Sequence, residues 1–475
     1  MATAQTSAQS LPVTLGALRA SGWQSIPVKE ELRRNAVARI SAGQQLFEGV
    51  LGYEDTVMPQ LENALLAGHD VIFLGERGQA KTRMIRSLTG LLDEWMPIIE
   101  GSEINDDPYN PVSRHARELV EKMGDNAPIS WVNREDRYGE KLATPDTSIA
   151  DLIGEVDPIK VAEGRYLSDE LTLHYGLVPR TNRGIFAINE LPDLAERIQV
   201  GLLNVLEERD VQIRGYKIRL PLDVMLVASA NPEDYTNRGR IITPLKDRFG
   251  SQIRTHYPLE VETEIAIMRQ ESRAASIGDV TVTMPAFMER IIAMFSHQAR
   301  SSSHVNQRSG VSVRLSVSNF EILSANAVRR ALRAGEKDVA PRVSDLDALA
   351  SSTGGKVEIE SLEEGRESLI LQQLISAAVL TVYKELAPGS MMGEVITAFE
   401  TGTIAHVGED IPSAELIALF NDIPALRAPV LVLTEGDESP AVLASAVEFV
   451  LEGLHLTRRL NKDASGTKAT YRSRG

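Results

Sequence analysis

The chain has 475 residues, of which 43% are apolar and 24% charged, and its formal net charge is −16. This length predicts about two to four domains, and the composition is ordinary for a soluble globular protein. The acidic balance argues against nucleic acid as a partner, because no basic surface dominates. The absence of cysteine excludes disulfides and thiolate metal sites and fits a reducing cytoplasm.

Neither a secretory signal nor a membrane span is predicted. Residues 1–22 are rich in Ala, Ser and Thr and lack a basic segment followed by an apolar block. The most apolar run, Leu369 to Tyr383, is too short for a bilayer and contains Gln372 and Gln373, so we expect a buried helix. We therefore expect a cytoplasmic protein.

The first elements in chain order are a flexible leader and the opening helices of an α/β domain. Residues 1–40 are expected to form the leader, although Val28 to Phe47 has helical periodicity with many charges. The α/β domain is expected over residues 41–275. It begins with a helix from Val57 to Ala67, which has its leucines on one face.

A glycine-containing turn, Gly75 to Thr82, follows the apolar strand Asp70 to Leu74 and precedes a helix. Such a turn presents backbone N–H groups to a phosphate chain, which makes the segment a candidate P-loop. Lys81 would then reach the β- and γ-phosphates, and the Thr82 hydroxyl would ligate Mg²⁺. The usual pattern has glycine where this chain has Ala80. The ATP-binding positions in this loop are Gly75, Gly78, Gln79, Ala80, Lys81 and Thr82. The alternative is an ordinary polar turn that binds no ligand.

Residues 94–140 are polar and rich in turn formers, and we expect an insertion on the surface of the sheet with a helix from Ser113 to Met123. His115 is expected to lie on the surface, because no second histidine or acidic ligand stands at metal spacing. Two arms of a β-rich excursion are expected at Gly164 to Leu167 and at Tyr175 to Val178.

A short apolar strand, Gly184 to Ile188, ends in Asn189 and Glu190 and leads into a helix. A strand that delivers acidic side chains at its carboxyl end is the Walker B arrangement, and here the first acid is replaced by an amide. The next segment, Val211 to Leu220, alternates in polarity around a glycine and predicts a β-hairpin. A second buried strand, Val224 to Ser229, then leads to Asn231.

The remaining α/β elements are the segment around Arg248 and a last strand near Ile253. Strands that alternate with helices predict a parallel sheet, with the phosphate site at the carboxyl edge of its strands. Beyond it we expect a helical lid over residues 276–355 and further C-terminal helices over residues 356–475, which end in a polar tail. The clearest helices are Arg314 to Arg333, Glu363 to Leu386 and Ala441 to Leu460.

This ordered set of motifs resembles the AAA+ ATPases, specifically the branch that holds the magnesium chelatase I subunit and the MoxR-type ATPases. The resemblance covers about residues 48–350 and implies an α/β AAA+ P-loop fold with a parallel five-stranded sheet. The family normally has Asp at the position of Asn189. The hairpin at residues 211–220 stands where the branch places its insertion before sensor 1.

The resemblance also implies roles for individual residues. Glu190 would be the catalytic carboxylate, Asn231 the sensor-1 residue that orients the water or the γ-phosphate, and Arg248 the arginine finger for the neighbouring subunit. Arg314 is the candidate for sensor 2, with Arg308 as its competitor. Alternatives remain open: Arg248 could pair with Asp247, Asn231 could form a turn before Pro232, and the hairpin could be a decoration of the sheet edge.

The metal position is where the chain departs from the family. Thr82 would bind Mg²⁺ directly, and the residue at position 189 would act through the water shell of the ion. An amide removes one negative charge there, so we expect weaker Mg²⁺ binding but retained ATP binding. If a nearby acid, Asp193 or Glu233, takes over, the substitution has no effect.

We expect a motor that uses ATP and Mg²⁺ to remodel a partner protein, and that assembles into a ring, with a hexamer as the expected stoichiometry. The partner is expected to carry a von Willebrand-type metal-adhesion domain, which this chain lacks. The rival is an ATP-gated scaffold or regulatory subunit with little turnover. A σ54-type transcription activator is disfavoured, because the sequence contains no Gly-Ala-Phe-Thr-Gly-Ala loop and no basic helix-turn-helix.

Overall fold

The computed structural model describes ten segments of the chain, residues 11–156, 172–207, 210–212, 219–231, 239–273, 276–306, 310–359, 366–387, 389–466 and 468–474. It divides into two compact units. The first extends to His256 without residues 77–79, and the second comprises residues 77–79 and the chain from Tyr257 onward.

The first unit is built on a five-stranded sheet, in which the order of the strands is Ser251–Arg254, Val71–Leu74, Val224–Ala230, Gly184–Asn189 and Tyr138–Leu142. All four strand pairings are parallel, as expected for this fold class. The carboxyl ends of the strands therefore meet at one edge of the sheet. The strands are β1 (Val71–Leu74), β2 (Tyr138–Leu142), β3 (Gly184–Asn189), β4 (Val224–Ala230) and β5 (Ser251–Arg254).

The central strands are apolar throughout because both faces of the sheet are covered. Alternate residues of β1, β3 and β4 belong to two different hydrophobic clusters. Ile72, Phe186 and Leu226 pack on one face, whereas Phe73 and Ile185 pack on the other. The helices of this unit are Leu15–Ala20, Val28–Ser41, Val57–Ala67, Lys81–Ser87, Arg114–Met123, Ile149–Leu152, Leu177–Arg180, Glu196–Glu207 and Thr243–Arg248.

Three antiparallel pairs decorate this unit: Trp95–Ile99 with Ile129–Asn133, Gly154–Val156 with Leu173–Tyr175, and Asp210–Gln212 with Arg219–Pro221. The last pair belongs to the predicted hairpin at residues 211–220, whose tip lies outside the described residues. Of the two predicted arms of the earlier excursion, Gly164 to Leu167 lies outside the described residues. The other, Tyr175 to Val178, is not a strand arm: it begins at the end of a strand and continues into the helix Leu177–Arg180. The predicted insertion helix forms as Arg114–Met123, with the Ser113 side chain as its N-terminal cap.

The expected boundaries of the leader and the insertion were wrong. From Leu11 onward the leader is ordered: Leu15 and Leu18 are fully buried, and Leu18 packs with Ile99 and Ala116 of the insertion. The insertion ends before Tyr138, because residues 138–142 form β2 of the main sheet.

The second unit is mainly helical, and the boundary at Tyr257 precedes the expected one at residue 275. Met268, on helix Val261–Glu271, belongs to the core of this unit, which extends to Tyr471. The lid and the C-terminal region therefore share one core instead of forming separate domains. The other helices are Ala286–Ser301, Arg314–Ala334, Leu349–Thr353, Arg366–Leu386, Met392–Glu400, Ser413–Asp422, Arg427–Leu433 and Pro440–Leu456.

The predicted polar tail is instead a β-hairpin. Leu460–Ser465 pairs with Lys468–Ser473, and the latter strand also pairs with Ala405–Gly408. Lys468–Ser473 is therefore the central strand of a three-stranded sheet. Leu460 and Tyr471 turn inward and are buried. A second small sheet contains Ser276–Ile277, Val280–Val282 and Asp338–Val339.

The helix Arg366–Leu386 is the part of the described chain that is long and apolar enough to cross a membrane. One bent helix pair, Ser413–Asp422 with Pro424–Leu433, passes the same test of length and composition when it is counted as a single span. The residues of helix Arg366–Leu386 that contribute to the core of the second unit are Ile370, Leu371, Leu374, Ile375, Ala378, Val379, Val382 and Tyr383.

Candidate nucleotide site

The P-loop segment follows β1 and is fixed to the neighbouring strand at its first residue. The Gly75 N–H donates a hydrogen bond to the Ala230 carbonyl at the end of β4, with an N to O distance of 3.0 Å. Gly78 and Ala80 then take positive φ angles of 76° and 54°. Ala80 thus adopts the left-handed conformation for which the family uses glycine, at a cost of about 1 kcal/mol.

Lys81 is the first residue of the helix that follows the loop, and it is only 7% exposed. Its ammonium group donates hydrogen bonds to the carbonyl groups of Gly75 and Glu76. Backbone oxygens of the loop therefore hold the cation in place. Gln79 is buried and Thr82 is half-buried on either side of it.

Glu190 follows β3 directly, at the carboxyl edge of the sheet, and has an unusual backbone. Its φ and ψ are 55° and 49°, which places a non-glycine residue in the left-handed region. Its N–H donates to Ser229 Oγ on β4 at 3.2 Å. Such strain is concentrated at functional sites, where the surrounding structure fixes the direction of a side chain.

Asn189 is the last residue of β3, and both the nitrogen and the oxygen of its side-chain amide form hydrogen bonds within the protein. Its Nδ2 donates to Glu140 Oε1 on β2 at 2.5 Å, and its Oδ1 accepts from Ser229 Oγ at 3.1 Å. Glu140 also accepts hydrogen bonds from the guanidinium of Arg86, on the P-loop helix. The sequence prediction missed Glu140 because it assigned this residue to the polar insertion. The signal for a strand was that Tyr138, Glu140 and Leu142 follow one another at a spacing of two residues.

The remaining predicted site residues lie at strand and helix ends in both units. Asn231 is 5% exposed and follows β4 at the same edge as the P-loop. Arg248 ends a short helix before β5, with its side chain 37% exposed and 3.4 Å from Asp247 Oδ2. Arg314 is an exposed residue at the start of helix Arg314–Ala334 in the second unit. Arg308 lies outside the described residues.

The donor set fits ATP with Mg²⁺. Among the described residues, no group of three or more His, Asp or Glu side chains could hold a metal ion by itself. Mg²⁺ is commonly bound through one or two protein oxygens together with the phosphates of its nucleotide and several waters. Thr82 and the phosphates held by Lys81 would supply that combination.

Comparison with known proteins finds a matching family model and several magnesium chelatase subunits. Residues 163–248 match the family model of the sigma-54 interaction domain. The magnesium-chelatase 38 kDa subunit of Rhodobacter capsulatus is 30% identical over 237 residues, which cover 47% of this chain and 59% of the relative. Magnesium-chelatase subunit ChlI of Nostoc sp. is 28% identical over 51% of this chain and 61% of the relative. The chain thus spans about three fifths of the length of these relatives.

Solved structures show only distant similarity. One is the complex between subunits BchI and BchD of magnesium chelatase, based on a single-particle cryo-EM reconstruction, with 21% identity, coverage of 70% of this chain and 93% of that chain, and a TM-score of 0.35. Another is NtrX from Brucella abortus in complex with ATP, with 14% identity, coverage of 82% and 72%, and a TM-score of 0.39. At these scores the structural similarity adds nothing to the assignment.

The parallel sheet, the candidate P-loop after β1 and the acidic residue after β3 give the first unit the architecture of a P-loop nucleotide-binding domain, and the sequence is similar to AAA+ proteins of the magnesium chelatase type. Its curated relatives include magnesium chelatase subunits from several organisms. Within the class, the chain resembles the branch of magnesium chelatase subunit I and the MoxR-type ATPases.

Proposed function

We propose that this chain binds ATP with Mg²⁺, hydrolyses it, and uses the cycle to remodel or activate a partner protein. The observation that carries the proposal is the position of Lys81. Its buried ammonium lies under a loop at the carboxyl edge of the sheet, and Glu190 and Asn231 follow strands that end at that edge. Binding and hydrolysis of a nucleotide triphosphate need these groups at one edge.

Each residue would have a separate part in hydrolysis. Lys81 would hold the β- and γ-phosphates, and Glu190 would orient and polarise the attacking water. Asn231 would hold that water or the γ-phosphate in line. Mg²⁺, when bound, supplies positive charge to the phosphate oxygens and would rest on Thr82.

We further propose a ring, with a hexamer as the expected form, because Arg248 is exposed and would act on the nucleotide of a neighbouring subunit. The proposal also includes a partner protein that carries a von Willebrand-type metal-adhesion domain. It further includes a cytoplasmic location for this chain. They are supported by the similarity to chelatase subunits. Service to a metal chelatase is a possible role that nothing in this chain requires.

A second candidate, an ATP-gated scaffold with little turnover, is favoured by one observation, the amide at Asn189. Steady-state phosphate release from the purified protein and from Glu190→Gln separates the two candidates. A motor should release phosphate, and the variant should bind ATP but lose turnover. If the two proteins release phosphate equally slowly while both bind ATP, the scaffold is correct. If the protein is a motor, its Glu190→Gln variant should bind ATP without hydrolysing it. In that state it should also retain the client protein in a pull-down.

A further inference from the structure

Position 189, in the Walker B segment, carries an amide, but a carboxylate on the neighbouring strand is hydrogen-bonded to it. Asn189 donates its Nδ2 hydrogen to Glu140 Oε1 at 2.5 Å, and Glu140 lies on β2, the strand paired with β3. In the strand register, Leu142 is opposite Asn189, so Glu140 is displaced from the end of the sheet by two residues. A negative group is thus present one strand away from the family's usual position.

The neighbours of Glu140 hold its carboxylate in one orientation. Arg86 donates to both of its carboxylate oxygens, from Nε at 2.9 Å and from Nη2 at 3.2 Å, and the Tyr138 hydroxyl donates to Oε2 at 3.1 Å. The glutamate side chain is 22% exposed. Hydrogen bonds to Glu140 raise the pKa of Arg86, and burial together with the Glu140 charge raises the pKa of Tyr138. Both neighbours therefore remain donors at neutral pH.

The amide of Asn189 is hydrogen-bonded at both its nitrogen and its oxygen. Its carbonyl oxygen, the atom that could replace an aspartate oxygen, accepts from Ser229 Oγ at 3.1 Å. Ser229 Oγ in turn accepts from the N–H of Glu190 at 3.2 Å. The amide therefore links Glu140 on one side to the backbone of Glu190 on the other.

We propose that Glu140 supplies the negative charge that the family places at position 189, and that Asn189 positions it. The proposal rests on the proposed nucleotide site. Glu140 would act on Mg²⁺ through the water molecules that the ion keeps. Glu140 would thus be a positioning residue. It differs from Asp193 and Glu233, the two acids that the sequence analysis considered as replacements, and Glu233 lies outside the described residues.

The test measures binding of a fluorescent ATP analogue as a function of Mg²⁺ concentration, with a second titration in EDTA. Glu140→Gln should raise the half-saturating Mg²⁺ concentration about tenfold or more and leave the affinity in EDTA unchanged. Glu118→Gln is the matched control: it neutralises a glutamate of an exposed ion pair with Arg114, so its Mg²⁺ curve should stay near that of the natural protein. Thermal unfolding without nucleotide confirms that each variant is folded.

A second test moves the carboxylate from position 140 to position 189, so that the conclusion does not depend on the Glu140→Gln variant alone. Asn189→Asp alone would place a second carboxylate against Glu140, so the pair should share a proton or separate, without a gain in Mg²⁺ affinity. In the Glu140→Gln background the same change should restore the natural Mg²⁺ curve. If Glu140→Gln leaves the Mg²⁺ dependence unchanged while Lys81→Ala abolishes binding, the role of Glu140 is overturned and the nucleotide site stands. If the natural protein binds no nucleotide, the proposed function itself is wrong.

Discussion

Glu31 and Arg137 form a bidentate ion pair that is almost fully buried. Arg137 Nη1 lies 2.8 Å from Glu31 Oε1, and Nη2 lies 2.6 Å from Oε2. The Arg137 guanidinium also donates to the Arg183 carbonyl, just before β3. The pair therefore ties the N-terminal helix Val28–Ser41 to the segments that lead into β2 and β3.

Removing one partner of this pair should destabilise the first unit strongly. Glu31→Gln leaves the Arg137 charge buried without its counter-ion, so we expect a loss of about 3 to 5 kcal/mol in the free energy of unfolding. Urea denaturation measures this loss. Asp93→Asn is the control, because its partner Arg34 is half-exposed and such pairs contribute no more than about 1 kcal/mol. Equal effects of the two substitutions would contradict the assigned role of the buried pair.

Ala80→Gly should be tolerated in the P-loop. Glycine removes the strain of about 1 kcal/mol at φ 54° but adds a similar entropy to the unfolded chain. We therefore expect unfolding free energy within about 1 kcal/mol of the natural protein and unchanged ATP affinity. Ala38→Gly, at an exposed position of a helix, should instead cost about 1 kcal/mol. A larger loss for Ala80→Gly than for Ala38→Gly would contradict the left-handed backbone.

Lys81→Ala should abolish ATP binding and leave the fold intact. One ammonium close to two phosphates in a partly dehydrated site contributes far more than a surface ion pair. A titration with ATP should show affinity reduced by more than about tenfold, which corresponds to about 1.4 kcal/mol. Unchanged affinity in a variant with a normal melting temperature would remove the P-loop assignment.

Arg248→Ala should bind ATP but turn it over about a thousandfold more slowly, because an arginine finger acts across a subunit interface. Mixing this variant with Glu190→Gln should recover part of the phosphate release, since some interfaces then combine an intact Glu190 with an intact Arg248. The doubly substituted subunit, mixed with either single variant, should recover none. If the first mixture assembles but stays inactive, the finger has been assigned to the wrong residue.

The pKa of the buried Glu264 carboxyl leads us to expect that the second unit loses stability at acidic pH. Burial alone would raise the pKa of this carboxyl, but hydrogen bonds from His297, Arg300 and Ser316 outweigh burial and lower it to about 2. A depressed pKa contributes stability that is complete above the ordinary value, 4.5, and is lost as the pH falls toward 2. Melting temperatures should therefore fall steeply between these pH values, and Glu264→Gln should flatten that fall.

Glu394→Gln, at an exposed helical position, is the matched control for this pH profile. It should melt in parallel with the natural protein at every pH. A natural protein whose melting temperature is constant from about pH 4.5 down to about pH 2 would contradict the depressed pKa of Glu264.

The sheet and the P-loop were predictable from the sequence because their signals are local. The apolar runs of β1, β3 and β4 and the residues that follow them can be recognised without knowledge of any distant contact. Leu15 and Leu18 could not be assigned to a core in this way, since Leu18 packs against Ile99 and Ala116, far along the chain. Glu140 was missed for the same reason, because its partners lie on three separate elements.

The C-terminal hairpin shows the opposite difficulty, in which a polar composition hides a strand. Most of its residues are polar or charged, and Tyr471 faces the core. Its hydroxyl donates to Glu452 Oε2, and burial raises the pKa of Tyr471. One inward side chain in each strand, Leu460 and Tyr471, is too weak a pattern to predict a hairpin among polar residues.

The central place of Lys468–Ser473 in its sheet affects how the protein tolerates shortening. Loss of this strand would expose the backbone donors and acceptors of Ala405–Gly408 and Leu460–Ser465 that now pair with it. Two unpaired strand edges are templates for association between chains. A protein shortened by these few polar residues should therefore aggregate, even though every residue of the nucleotide site remains.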